Sequence, residues 1–142
     1  MKLVLVKIGK PRTSEVRALV DMYLERMQTL APITSVELRD GDKIPGIEKS
    51  GTHLVVLDER GKQWTSPDFA KLITKWTDDP AIKQVIFVIG GPYGVPEELR
   101  KSAQTLWALS AGVLPSDLAW LVTAEQIYRA YTILKGTSYH HQ

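Results

Sequence analysis

The strongest constraint in the chain is a run of five apolar residues, Val85-Ile86-Phe87-Val88-Ile89, that passes directly into Gly90-Gly91-Pro92-Tyr93-Gly94. A β-branched and aromatic run with no polar alternation describes a strand covered on both faces, which belongs in the middle of a sheet between helices. Residues 2–8 read as a second buried strand, broken at Gly9, Lys10 and Pro11. Ser14 follows as a helix N-cap, with Val16, Leu19, Val20, Tyr23, Leu24, Met27 and Leu30 at helical spacing up to Pro32. Further strands are predicted over Ile33–Leu38, His53–Leu57 and Thr105–Leu109. Ser66 and Pro67 open a helix with Phe69, Leu72, Ile73 and Trp76 on one face, Pro96-Glu97-Glu98 start a short one, and Pro115 to Asp117 cap a long one over 118–134. Strands alternating with helices predict an α/β fold, a mostly parallel sheet flanked by helices.

Residues 1–142 make a single domain of ordinary globular composition, 44% hydrophobic and 24% charged. The polar stretch 39–52 is the expected flexible segment. With no cysteine there is no disulfide, thiolate metal site or cysteine nucleophile, which suits a cytoplasmic location. No apolar run approaches the roughly 20 residues of a membrane span, and the N-terminus lacks the pattern of a signal peptide, so no membrane partner is expected. A net charge of +2 is too small to hold naked nucleic acid by charge alone. Lys2, Lys7, Lys10 and Arg12 form an acid-free basic run that reads either as solvated lysines or as a phosphate contact once two copies sit together.

Three stretches carry candidate chemistry. The glycines after Val85–Ile89 either let a ligand approach the backbone or only permit a tight turn; their spacing is neither a dinucleotide fingerprint nor a P-loop. Trp107 to Pro115 is too apolar for a surface loop, so its peptide groups must find partners in its own domain, a heterocyclic ligand or another subunit. On the long helix Glu125 and Arg129 share a face at i,i+4, and Trp120, Ala124, Ile127, Tyr131 and Leu134 form the opposite stripe, core or interface. His53 reads as a strand-end residue without a role. His140 and His141 lack the further ligands a metal would need, so no metal is expected.

Taken together, Ile89-Gly90-Gly91-Pro92 with Gly94, Trp107 through Pro115, and Glu125-Gln126-Ile127-Tyr128-Arg129-Ala130 followed by Tyr139-His140 resemble the SPOUT class of RNA methyltransferases. Within that class the chain is similar to the small RlmH family, which methylates a pseudouridine of bacterial large-subunit ribosomal RNA; Met1-Lys2-Leu3 through Gly9 and Leu57-Asp58 with Gly61-Lys62 match as well. Ser138 stands where the family usually has proline, and Tyr93 where others carry an acidic residue. The resemblance implies a C-terminal trefoil knot, a homodimer, and S-adenosylmethionine held by Leu57, Gly90 and the run Leu109, Ser110, Ala111, Gly112, Val113 and Leu114. It also implies ribosomal RNA as substrate, modified at a ring nitrogen, N3; the charge of only +2 points to that RNA within the folded ribosome rather than free.

Methyl transfer from a sulfonium needs mainly positioning, and the imide nitrogen must lose a proton. His140 is the first candidate base, Tyr139 a stacking or hydrogen-bonding group, Arg129 a phosphate or oxyanion ligand, and Glu125 its orienter. Two other readings fit the glycine turn: a nucleotide-binding regulatory module without catalysis, and a related methyltransferase acting on transfer RNA.

Overall fold

In the computed structural model, which describes residues 1–141, Val85–Ile89 lies in the central strand, and every residue of that strand is buried. The elements are β1 (Lys2–Ile8), α1 (Ser14–Met27), β2 (Ile33–Leu38), β3 (Thr52–Lys62), α2 (Ser66–Asp78), β4 (Gln84–Ile89), α3 (Glu97–Ser102), β5 (Thr105–Trp107) and α4 (Ser116–Lys135). They build one five-stranded sheet in the order β2-β1-β4-β3-β5, parallel throughout.

The period of two along each strand divides the core into two layers. Leu3, Leu5, Val55, Val85, Phe87 and Ile89 face α1, α2 and α4, with Phe69, Trp76, Trp107 and Trp120 packed among them. Val4, Val6, Ile8, Leu54, Val56, Ile86 and Val88 face a thinner cover made by Ile44, Ile47 and Leu99. The segment 39–52, read from its polarity as flexible, is part of that cover. Ile44 is buried in it, and the Gln84 side-chain amide donates to the Gly46 carbonyl at 2.9 Å and to the Thr52 hydroxyl at 2.6 Å. One buried apolar residue and one inward amide outweigh the local turn composition.

The helix starts fall one residue earlier than read. Thr13 and Thr65, not Ser14 and Ser66, accept the orphan N–H groups of Val16 and Asp68. β3 does not stop at Leu57; it continues to Lys62, and Leu57 and Lys62 both lie opposite Trp107 across an irregular register. Three residues of the α4 stripe, Trp120, Ala124 and Ile127, are spent inside the chain against the sheet, whereas Leu134 stays 45% exposed. That stripe is therefore core for most of its length.

From β5 at the edge of the sheet the chain turns back over the carboxyl ends of the strands and enters α4, which packs between α1 and α2. This crossing is the feature on which a knotted C-terminal part rests. It brings the last helix to the middle of the molecule and leaves a hollow beneath residues 108–115.

The tightest contact near the crossing is at Gly61. A Cβ there would lie 2.4 Å from the Leu106 carbonyl carbon and 2.6 Å from the Trp107 nitrogen, both backbone atoms. Gly61→Ala should force β3 and β5 apart and cost about 1–3 kcal/mol or more. Gly41→Ala, at a φ of +87° but in open space, should cost only about 1–2 kcal/mol. Urea unfolding of both variants checks the ranking.

Candidate active site

The hollow at the carboxyl ends of β1, β3 and β4 is a cavity of about 920 Å³. Leu57, Gly90, Leu109, Ser110, Gly112, Val113 and Leu114 line it; Ala111, the eighth residue expected there, is exposed and not part of the lining. The Ser110 hydroxyl donates to the Gly112 carbonyl at 2.8 Å, which tightens the loop around that glycine.

Gly90 is needed for a different reason from the one its position suggests. A Cβ on Gly90 would lie 2.5 Å from the Gly94 carbonyl carbon and 2.8 Å from the Val95 nitrogen. The turn folds back on its own backbone at that point, so a side chain collides with the turn before it reaches any ligand. Gly94, with φ +82°, is the residue that requires left-handed backbone.

α4 is pinned to the floor of the cavity by contacts that span the whole chain. The Ser116 hydroxyl donates to the Gly90 carbonyl at 2.6 Å. The Asp117 carboxylate accepts the Arg12 backbone N–H at 2.7 Å and lies 3.9 Å from the Lys7 ammonium. Lys7 is 1% exposed and donates to the Ile8 and Gly9 carbonyls at 2.9 and 3.3 Å. Burial lowers its pKa, and Asp117, Glu37 and Asp40 act in the opposite sense. Sequence reading placed Lys7 in a surface basic run. Its position two residues from Leu5 in an alternating strand was the available signal that it points inward. At the outer wall the Arg60 guanidinium holds the Asp58 carboxylate at 2.7 Å and its pKa below the usual range.

The four residues expected to act are brought together at the other end of α4. The Arg129 guanidinium donates to Glu125 at 2.7 and 3.1 Å, and the Tyr139 hydroxyl donates to the same carboxylate at 2.7 Å. Arg129 also lies over the Tyr139 ring, 4.8 Å from its centroid. The hydrogen bond to Glu125 raises the Arg129 pKa; burial first, then the contacts with Tyr23 and Glu125, raises that of Tyr139. Arg129 Nη1 is 3.0 Å from His140 Nδ1. A guanidinium can only donate, so Nδ1 accepts and the imidazole proton sits on Nε2. That Nε2 is buried without a partner in the described residues.

Three residues to which the sequence assigned no role at the site, Tyr23, Ser66 and Gln126, complete the cluster. Ser66 donates to Gln126 at 2.8 Å, Gln126 donates to Glu125 at 2.8 Å, and Tyr23 meets the Tyr139 hydroxyl at 3.4 Å. They tie the tail to α2 and α1. No periodicity predicts such contacts, because each partner comes from a different element. Arg129 and His140 border a smaller hollow with Ser66, Gln126 and His141, and none of the four residues lines the large cavity. Along α4, Glu125 lies about 9 Å and Arg129 about 15 Å beyond Ala119, the last cavity residue of the helix.

Among the described residues no helix is long and apolar enough to cross a membrane, and no group of three or more His, Asp or Glu residues is placed to hold a metal ion.

A parallel α/β sheet with a crossing C-terminal segment, a glycine turn and a cavity beneath both is the frame of the SPOUT methyltransferases, and the chain belongs to that family: the family model described as "Predicted SPOUT methyltransferase" matches residues 1–140. The relatives narrow this. A protein named "Ribosomal RNA large subunit methyltransferase H" from Thermus thermophilus is 38% identical over 141 residues, covering 99% of this chain and 98% of its own. The protein of the same name from Coprothermobacter proteolyticus is 40% identical over 144 residues, with 99% of each chain covered. Among solved structures, a probable methylase family protein from Haemophilus influenzae shares the fold at a TM-score of 0.59 and 7% identity, covering 99% of this chain and 70% of that one. A probable methyltransferase from Bordetella pertussis does so at 0.56 and 12%, covering 92% and 93%.

Glu125 accepts from Arg129, Gln126 and Tyr139, and the first and last of these hold the tail. Glu125→Ala should free residues 137–141, and carboxypeptidase should trim the chain roughly tenfold faster or more, given about 1.5–3 kcal/mol for bonds to a charged group. Timed digestion followed by mass spectrometry reads this directly.

Proposed function

We propose that this chain methylates large-subunit ribosomal RNA, using S-adenosylmethionine, at N3 of a pseudouridine, on the assembled ribosome in the cytoplasm. The observation that carries the reading is the cavity itself, lined by the glycine turn and the 109–114 loop in a chain whose full-length relatives bear the name of that activity. Its residues fit the cofactor. Leu57, Leu109, Val113 and Leu114 offer apolar walls to a heterocycle, the loop backbone offers donors and acceptors to its edge, and Asp58, Glu59 and Asp117 place carboxylates near a cationic ligand. Bound there, S-adenosylmethionine supplies a methyl group already activated as a sulfonium. The protein's task is then to hold the nitrogen in line with it.

The tail cluster acts on the base. Arg129 and His140 Nε2–H are donors, and the Nδ1 lone pair is already taken. Nε2 is buried in this arrangement, so the tail shifts as the base enters, and His140 then serves as a donor toward a uracil oxygen rather than as the proton acceptor expected from its residue type. The two donors favour the imidate form of the base, and the imide proton leaves to water. Glu125 holds Arg129, and Tyr139 packs under it.

Cavity and cluster share no lining residue within one chain, which supports a homodimer in which the tail of one protomer meets the cavity of the other. Light scattering should give twice the 15.9 kDa chain mass.

Mass spectrometry of ribosomal nucleosides from a strain without this protein should show one methylated pseudouridine missing; an unchanged profile sinks the reading. Gly112 has no neighbour closer than 3.9 Å to an added Cβ. Gly112→Val should fold normally and weaken S-adenosylmethionine binding by about tenfold or more, by calorimetry. Removing residues 139–142 should spare that binding and abolish methylation.

A further inference from the structure

Six large hydrophobic side chains are exposed among the described residues, and three of them, Tyr93, Val113 and Leu118, stand on the rim of the same cavity. Tyr93 is the extreme case at 94% exposure. It does not sit on a loose loop. Gly94 N–H donates to the Gly91 carbonyl at 2.9 Å, closing the turn beneath the ring, and Gly90 has no room for even a Cβ. No other ring in the described residues pairs with Tyr93, so a large π-face stands open at a cavity mouth on a closed backbone turn. Lys10 and Arg12 lie on the same rim, exposed, and their side-chain cations form no ion pair in the described residues.

We propose that Tyr93 is a stacking platform for an unpaired nucleobase of the RNA substrate, with Lys10 and Arg12 holding the adjoining phosphates. The inference rests on the reading of the chain as a ribosomal RNA methyltransferase and adds a specificity-determining residue to it. An exposed aromatic face flanked by free cations matches the two halves of a nucleotide, the flat base and the charged phosphate. An aliphatic protein partner would use the ring and leave both cations desolvated without a counter-charge. The turn brings ring and cavity together because Tyr93 follows Gly90 and Gly91, so a base stacked on Tyr93 is led toward the ligand pocket by chain connectivity alone.

The test uses the full chain and assembled ribosomes from a strain lacking it, so that their large subunits carry no prior methylation. Tyr93→Ala should lower kcat/KM for the ribosomes by about 5- to 100-fold, chiefly through KM. S-adenosylmethionine affinity and the mass in solution should stay unchanged. Tyr93→Phe and Tyr93→Trp should restore kcat/KM to near the starting value. Co-sedimentation with the ribosomes, which needs no methylation, should show the same order of affinities. Three outcomes overturn the proposal: Tyr93→Ala methylating at the unaltered rate, a parallel loss of cofactor affinity, or a change in mass that makes the rim a subunit contact. A Phe variant as poor as Ala overturns it too, since the hydroxyl would then be the active group. If the unsubstituted protein binds ribosomes but leaves them unmethylated, the enzymatic reading fails, and the co-sedimentation series decides the stacking role by itself.

Discussion

Where α4 begins decides what the rest of the carboxyl edge can be. Ser116 takes the Gly90 carbonyl, and Asp117 takes the Arg12 backbone N–H and faces the Lys7 ammonium. These contacts join β1, β4 and the first turn of the last helix, elements more than 100 residues apart at the Arg12–Asp117 bond. With that end fixed, residues 108–115 must arch over the strand ends to reach it, and the arch encloses the cavity. A charge as buried as Lys7 survives only because carbonyls and a carboxylate surround it. The local cost of that burial is offset by the registration of three elements at once.

The same helix separates two chemistries. Its start borders a ligand-sized hollow with apolar walls, and its far half carries a dense ion network. Glu125 compensates Arg129, anchors Tyr139 and is itself held by Gln126. A short flexible tail is thereby given one position, although chain ends ordinarily have few contacts to hold them. In that position His140 Nδ1 faces the Arg129 guanidinium and Nε2 is left without a partner among the described residues.

The glycine turn shows that a residue at the cavity can be glycine for a reason that involves no ligand. At Gly90 the space is filled by the turn's own backbone, and the close approach it permits is between two parts of the same chain. A turn folded this tightly leaves Tyr93 pointing outward.

Much of the architecture was legible in the residues. The apolar run at Val85–Ile89 requires a covered central strand, the amphipathic spacing of Phe69, Ile73 and Trp76 sets a helix on it, and the blocks at 89–94, 107–115 and 125–140 carry the likeness to the family whose model matches residues 1–140. These are local patterns, and local patterns follow from burial periodicity and backbone freedom. The inward Lys7, the tethered 39–52 cover, the extension of β3 to Lys62 and the contacts of Tyr23 and Ser66 with the tail were decided only by tertiary structure. Each joins a polar group to a partner from another element. The energy of such a pairing depends on where the sheet and the crossing place the second group, a quantity no stretch of sequence contains by itself.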